Sequence, residues 1–344
     1  MAGFTWLIDP TTFLPLTPPP SPPLFGYFRK VDPTTPAFTV TGAGTISVKA
    51  ATIVECAGAI FTYAAATAVT MPSLAAGTDY AIYQCFDGTI CADASFTAPT
   101  GYTTSNSRQI GGFHYAPGGN AAAMAGGDTN PAINPYSVWD LKFRPSCADP
   151  RGTALVAGRF WADIYLTNTA TDANGSSRYG LQIASGSAPP KVPTAFGGSG
   201  SAAYGEFNWW DANETLASVG KRLLTIEEFQ IAAYGTTEET ACGSDPGTTG
   251  LQGGTYTSKW GLFQATGVYW VFGHELGGPY SAPAYTQSPG NRGQFLDMPN
   301  AVILGARWDS NTGSGSRSSS WSYAASLSGG GVGARGCCDH LMLV

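Results

Sequence analysis

Between Phe38 and about Tyr115, apolar and polar residues alternate in short runs: "FTVTGAGTISVKAATIVE", "AIFTYAAATAVTM", "DYAIYQCFDGTICA" and "RQIGGFHY". A period of two over so few residues predicts strands buried on one face. Turn residues at spacings of roughly eight to twelve positions then predict a β-sandwich or small barrel. Around "SCADPRG" (146–152) a second unit begins with the strand-like "ALVAGRFWADIYL". "NETLASVGKR" (213–222) and "LTIEEFQIAAYG" (224–235) predict the helices. In the latter, Thr225 and Glu228 have capping-box spacing, Ile226, Phe229 and Ala233 share a face, and Gly235 suits the stop. "KWGLFQATGVYWVFGHELGG" and "NAVILGARW" are again strand-like with glycine turns. The expected fold is mainly β with an α+β C-terminal domain.

"PLTPPPSPP" (15–23) reads as an extended polyproline-type segment. Residues 1–36 are therefore expected to form a Pro-rich arm for attachment to something else, 37–148 the β-sandwich and 149–344 the second domain. Only 12% of residues are charged, while 45 Gly, 24 Pro and 12% aromatics favour short strands and turns. A net charge of −6 without a Lys/Arg cluster argues against nucleic acid. The chain lacks an apolar run long enough to span a membrane, and "MAGFTWLIDP" lacks the basic start of a signal peptide. A soluble protein made in a cytoplasm is expected.

Cysteines 56, 85, 91, 147, 242, 337 and 338 include no CxxC and no Cys/His zinc spacing. Asp87-Gly88 signals a two-residue hairpin turn that would set Cys85 opposite Ile90. Cys85 and Cys91 would then point to opposite faces, and a disulfide would need a bulge or a longer loop. Reduced thiols are expected throughout.

The stretch "WDSNTGSGSRSSSWSYAASLSGGGVGARGCCDHL" (308–341) looks like a linker, yet it holds two tryptophans and leads into the apolar Leu341-Met342-Leu343-Val344. Flexible tails rarely keep such residues.

The ordered series "KRLLTIEEFQIAAYG", "GVYWVFGHELGG", "AVILGARW" and "GARGCCDHL" resembles the C-type lectin-like domain shared with formylglycine-generating enzymes. Within that superfamily the chain, from about Ser47 to Val344, resembles the retroelement-diversified receptor-binding proteins of phage tail fibres. "GTDYAIYQCFDGT", "IGGFHYAPGGNAAA", "LKFRPSCADPRG" and "LVAGRFWADIYL" carry the likeness further. The resemblance implies a C-type lectin-like fold over 149–344, a homotrimer, a bacterial cell-surface receptor of protein or glycan, other tail-fibre proteins as partners, and a place in the virion. The family opens with a β-prism domain, for which nothing before Ser47 has the length, so the arm is expected to attach differently.

The resemblance also implies that positions in 305–344 are rewritten through errors at template adenines. Matched one by one, they are Arg307, Asp309, Asn311, Gly313, Ser320, Ser322, Tyr323, Leu327, Gly329, Gly331 and Val332. All belong to the set that an AAC codon can reach. Trp308, Arg317 and Trp321 are the expected scaffold: the indoles bury apolar area and the guanidinium satisfies backbone carbonyls. Strand alternation would put 307, 309, 311 and 313 on one face and Trp308 on the other.

Two chemical rivals, an oxidase and a lectin, fare worse. Adjacent Cys337 and Cys338 do not match the copper-binding cysteine pair of the oxidases, and neighbours on a strand point apart. The Glu-Pro-Asn, Gln-Pro-Asp and Trp-Asn-Asp motifs of calcium-dependent lectins are missing, and acids are sparse near 300–340. His274-Glu275 and Asp339-His340 read as loop-holding pairs rather than acid–base machinery. The expectation is recognition without catalysis, metal or cofactor and without membrane insertion; the alternative is a structural virion protein that binds no receptor.

Overall fold

The computed structural model describes residues 26–277, 285–287, 294–296 and 300–343, so the Pro-rich stretch 15–23 lies outside the described residues. The alternating runs become strands as expected. In Thr45–Val48, Ile46 and Val48 turn inward, and they share a core with Phe38, Val54, Tyr80, Ile82, Ile110 and Phe113. Two three-stranded sheets close this core against the long antiparallel pair Thr78–Cys85 and Ser107–Ala116. Gly111 makes the packing possible, since a Cβ there would lie 2.4 Å from the Phe38 ring.

Two expectations for this half need correcting. Residues 26–36 are not an arm: Phe28 is buried in the core, and Phe28–Arg29 pairs with Ile53–Cys56. Arg108 donates to the carbonyls of Gly26 and Tyr27, and the buried Lys30 ammonium donates to Asp140 at 2.9 Å. The hairpin loop is also one residue longer than Asp87-Gly88 alone implies. Cys85 lies opposite Thr89, Gln84 pairs with Ile90 and Tyr83 with Cys91. Gly88, at φ +91°, ends a three-residue loop. That shift brings the Cys91 sulfur onto the face of Cys85, 3.9 Å away, with both cysteines free.

Besides a single helical turn at Thr171–Asn174, two longer α-helices, Trp209–Ala217 and Ile226–Ala232, punctuate the second half. The later of the two has the capping box of Thr225 and Glu228 that its sequence shows. The earlier starts before "NETLASVGKR", because Asn208 and Asp211 cap it reciprocally. It stops at Ala217, and Arg222–Leu223 becomes a short strand beside the end of the chain. Within "KWGLFQATGVYWVFGHELGG" only Trp270–Gly277 is a strand.

The apolar chain end has a structural purpose. The last strand, Gly336–Met342, lies inside a ten-stranded sheet that runs through both halves. Cys337 to Asp339 pair with Phe160–Asp163, and His340 to Met342 pair with Phe143–Pro145. Just before it, the buried Arg335 donates to four carbonyls, those of Asp163, Ile164, Phe263 and Gln264, at 2.6 to 3.2 Å. Burial pushes its guanidinium down to about 10, which leaves it charged at neutral pH.

A second joint is polar. His114 places one ring nitrogen 3.0 Å from the Asp79 carboxylate and the other 2.9 Å from the Tyr165 hydroxyl. Burial alone would raise the Asp79 carboxyl, but His114, Arg178 and the Gly152 N–H hold it below the usual carboxylate range. Its contribution to stability is therefore complete above the unfolded value of about 3.9 and is lost as the pH falls below it.

Two tests follow from these joints. Arg335→Met keeps most of the volume but takes the guanidinium donors from four buried carbonyls, of which that of Ile164 keeps the Phe263 N–H, and urea denaturation should show a loss of about 3 kcal/mol or more; a loss under about 1 kcal/mol would mean the bonds are dispensable. Asp79→Asn should lower stability at pH 7 and flatten its decline below about pH 4, read from melting temperatures across pH.

Candidate functional site

The face to which the sequence points is built on a four-stranded sheet in the order Ser319–Ala324, Asn300–Leu304, Trp270–Gly277, Val332–Gly333. Ala301 to Leu304 are all buried, and Ala301 and Ile303 pack with Phe272, Phe207, Leu216 and Ala325 in one cluster. Strand Ser319–Ala324 forms the outer edge and is largely exposed. An extra residue in it breaks simple alternation: Ser320 pairs with Ile303 and Tyr323 with Ala301. Since 301 and 303 share a face, so do 320 and 323. The Ser322 hydroxyl lies 3.0 Å from that of Ser320, so the three positions gather together.

Residues 307–313 do not form the expected strand. After Gly305, where a Cβ would meet the Phe229 ring at 2.7 Å, the chain turns and closes a 3₁₀ helix over Asn311–Gly313. Arg307, Asp309, Asn311 and Gly313 are nevertheless exposed, and Trp308 between them is half-buried. Trp308 stacks edge-on against Tyr269 with ring centres 5.1 Å apart, and its N–H donates to the Val268 carbonyl. The rest of the loop is tied down by a residue not singled out from the sequence. Glu238 accepts from the Ser316 N–H and hydroxyl, while the Glu239 N–H donates to the Ser314 carbonyl.

The other two scaffold residues sit differently from expectation. Trp321 is 37% exposed, its ring lying over Gly277, because it stands on the open edge strand rather than over the core. Arg317 is exposed at the rim of a groove beside Trp260 and Tyr234. The arginine that satisfies several carbonyls is Arg335.

Seven of the eleven positions line one depression of about 450 Å3: Arg307, Asp309, Tyr323, Leu327, Gly329, Gly331 and Val332, with Trp270, Ile303 and Ser310. Tyr323 stands 44% exposed at its edge, whereas Val332 is 5% exposed and Gly331 buried. Trp270, unnoticed in the sequence, pairs in parallel with Val332, and its N–H donates to the Gly331 carbonyl. Asn311 and Gly313 lie outside the depression, on the neighbouring turn. Arg307 and Asp309 form a two-pronged ion pair at 2.6 and 2.7 Å. Hydrogen bonding to Arg307 lowers the Asp309 carboxyl.

The remaining ionisable pairs are structural. Glu275 accepts from the Ile226 N–H at the start of the second helix, and His274 is exposed. His340 accepts from the Trp161 indole at 2.9 Å, and exposed Asp339 pairs with Arg222 at 3.2 Å. Cys337 and Cys338 occupy separate apolar clusters, as neighbours on a strand must. Among the described residues no three His, Cys, Asp or Glu side chains are grouped to hold a metal ion.

Fold and face together define a binding protein on a C-type lectin-like scaffold. A family model described as the Mtd second domain matches residues 36–140. The tail fiber receptor-binding protein of Bordetella phage BPP-1 is 51% identical over 324 residues, which is 92% of this chain and 85% of that protein. The structures of the Major Tropism Determinant I1 and M1 variants match with a TM-score of 0.92, at 51% and 50% identity, covering 93% of this chain and 87% of theirs. The chain belongs to the major tropism determinant family of phage receptor-binding proteins.

Exchanging Ser320, Ser322 or Tyr323 for other residues should shift stability by no more than about 0.5 kcal/mol each, because their side chains add little to the core. Trp308→Ala, which opens the contact with Tyr269, should cost about 2 kcal/mol. Chemical denaturation of the single variants checks both, and a collapse on changing the serines would make these positions core.

Proposed function

We propose that this chain is the receptor-binding protein at the tip of a phage tail fibre, and that it binds a bacterial cell-surface receptor through the eleven positions from Arg307 to Val332. The observation that carries this reading is the convergence of seven of them on a single depression. The depression suits recognition: it has an apolar floor in Trp270, Ile303 and Val332 and a Tyr323 wall of the kind that anchors interfaces. The work is binding, with no catalysis and no cofactor.

We further assign 37–148 to a β-sandwich and 149–344 to the C-type lectin-like domain, with 305–344 as the variable region. The segment before Gly26 is the attachment point to other tail-fibre proteins, and the particle is assembled in the host cytoplasm. No helix among the described residues is long and apolar enough to cross a membrane. Glycine at 313, 329 and 331 and serine at 320 and 322 leave little side-chain area for each copy to bury. Binding by a single copy is accordingly weak, and a homotrimer on several fibres raises avidity through effective concentration, by about 10²-fold or more.

Phage carrying exchanges at Arg307, Asp309, Asn311, Gly313, Ser320, Ser322 and Tyr323, whose side chains lie outside the core clusters, should lose adsorption to its host while the purified protein keeps its melting temperature. Adsorption unchanged by this combined exchange would sink the assignment of the face.

A further inference from the structure

Three of the eleven positions are glycines, and two of these, Gly329 and Gly331, stand two residues apart beside the depression. They differ in what a side chain would meet. A Cβ at Gly329 would make ordinary contacts, 3.4 Å from Val332 Cγ2 and 3.9 Å from Leu327 Cδ1. A Cβ at Gly331 would lie 2.8 Å from Arg307 Cδ and 3.1 and 3.3 Å from two carbons of the Trp308 ring. Neither glycine holds a left-handed backbone, so the difference is one of space rather than of strain.

The crowded spot is where the Arg307 guanidinium approaches the Trp308 ring, 5.7 Å from its centre, while gripping Asp309 with two bonds. Trp308 is fixed from behind by Tyr269 and by its backbone bonds to Val268 and Gly243. Of the two neighbours, Arg307 is therefore the one that can move. Swinging it outward takes the guanidinium away from Asp309, which is only two residues along the same turn.

We propose that position 331 is a positioning residue for the binding face: glycine there lets Arg307 lie down and pair with Asp309, and any side chain there parts them. The variable positions then fall into two kinds. Arg307, Asp309 and Tyr323 present groups to a ligand, while 331 decides whether two of those groups are free. In this chain the Arg307 and Asp309 charges satisfy each other, so the depression takes an uncharged group with apolar surface onto its Trp270 floor. A variant with a side chain at 331 exposes one free cation and one free carboxylate and takes a ligand with ionic or strong hydrogen-bonding groups. The inference rests on the reading of this face as the receptor site.

The test uses full-length protein with 13C-labelled aspartate, following the Asp309 carboxyl by NMR across pH; Asp309→Asn identifies its signal. In the parent, Asp309 should titrate below the ordinary carboxylate value of about 3.9. In Gly331→Ala and in Gly331→Ser, which the AAC codon allows, it should rise toward that value. In Gly329→Ala it should stay where the parent has it. Unmoved titration in both 331 variants overturns the proposal, as does an equal shift in Gly329→Ala. Host adsorption of phage with Arg307 and Asp309 exchanged is scored separately: unchanged adsorption beside a shifted titration would remove the receptor reading and leave the steric coupling standing.

Discussion

The four bonds from the Arg335 guanidinium hold the molecule in its working form. They tie the carbonyls that follow strand Phe160–Asp163 to those of the turn at 263–264, and both to the chain that has just left Val332–Gly333. A buried charge costs several kcal/mol to desolvate, so it is tolerable only where its donors are used. Four carbonyls in one shell supply that. The neighbouring Asp163 adds a negative charge, accepts from the Gly336 N–H and is paired with buried Lys221. Removing any one partner strands another, which makes the arrangement specific for a single geometry.

That geometry frees the surface. Below the depression, Asn300–Leu304 is buried from its second residue onward, and Ala325 and Val332 lock both ends of the loop 326–331 into the same cluster. The loop between them is pinned through its main chain, the Trp209 backbone N–H donating to the Ala325 carbonyl and the Gly186 N–H to that of Gly329, and in addition by the Ser328 hydroxyl, outside the eleven positions, which accepts from the Phe207 N–H. Main-chain bonds do not depend on the side chain carried by the residue. A segment held this way can change its side chains at small cost.

The parts of this plan that were legible in the sequence are those governed by local physics. The strand runs before residue 116, the Thr225–Glu228 capping box and the exposed positions from Arg307 to Tyr323 could all be read from periodicity, capping and the resemblance. The misses are non-local or degenerate. Arg317 sits among glycines and serines and Arg335 among glycines and other small residues, and only the carbonyls 71 to 172 residues away decide which one is buried. Asp-Gly suits a two-residue turn, but its glycine serves equally as the left-handed residue closing a three-residue loop. Bonding of the Phe86 N–H to the Asn106 carbonyl accompanies the longer form here. Alternation across 307–313 reached exposed positions from the wrong geometry: Arg307 and Asp309 stand in the turn before the 3₁₀ helix Asn311–Gly313, and within that helix Thr312 is exposed along with its neighbours.

The exposed edge strand Ser319–Ala324 shows how the same constraints shape a surface that must stay both open and soluble. An unpaired edge is a template for strand addition by another chain, and an apolar one would aggregate. Here serines fill three of its six positions, and the extra residue opposite Asn300–Leu304 bends the strand away from a flat pairing geometry. Trp321 and Tyr323 remain exposed on it, large enough to supply affinity and few enough to leave no continuous apolar stripe. Because stability is secured in the buried strands and at Arg335, the edge is free to be chosen by what it must bind.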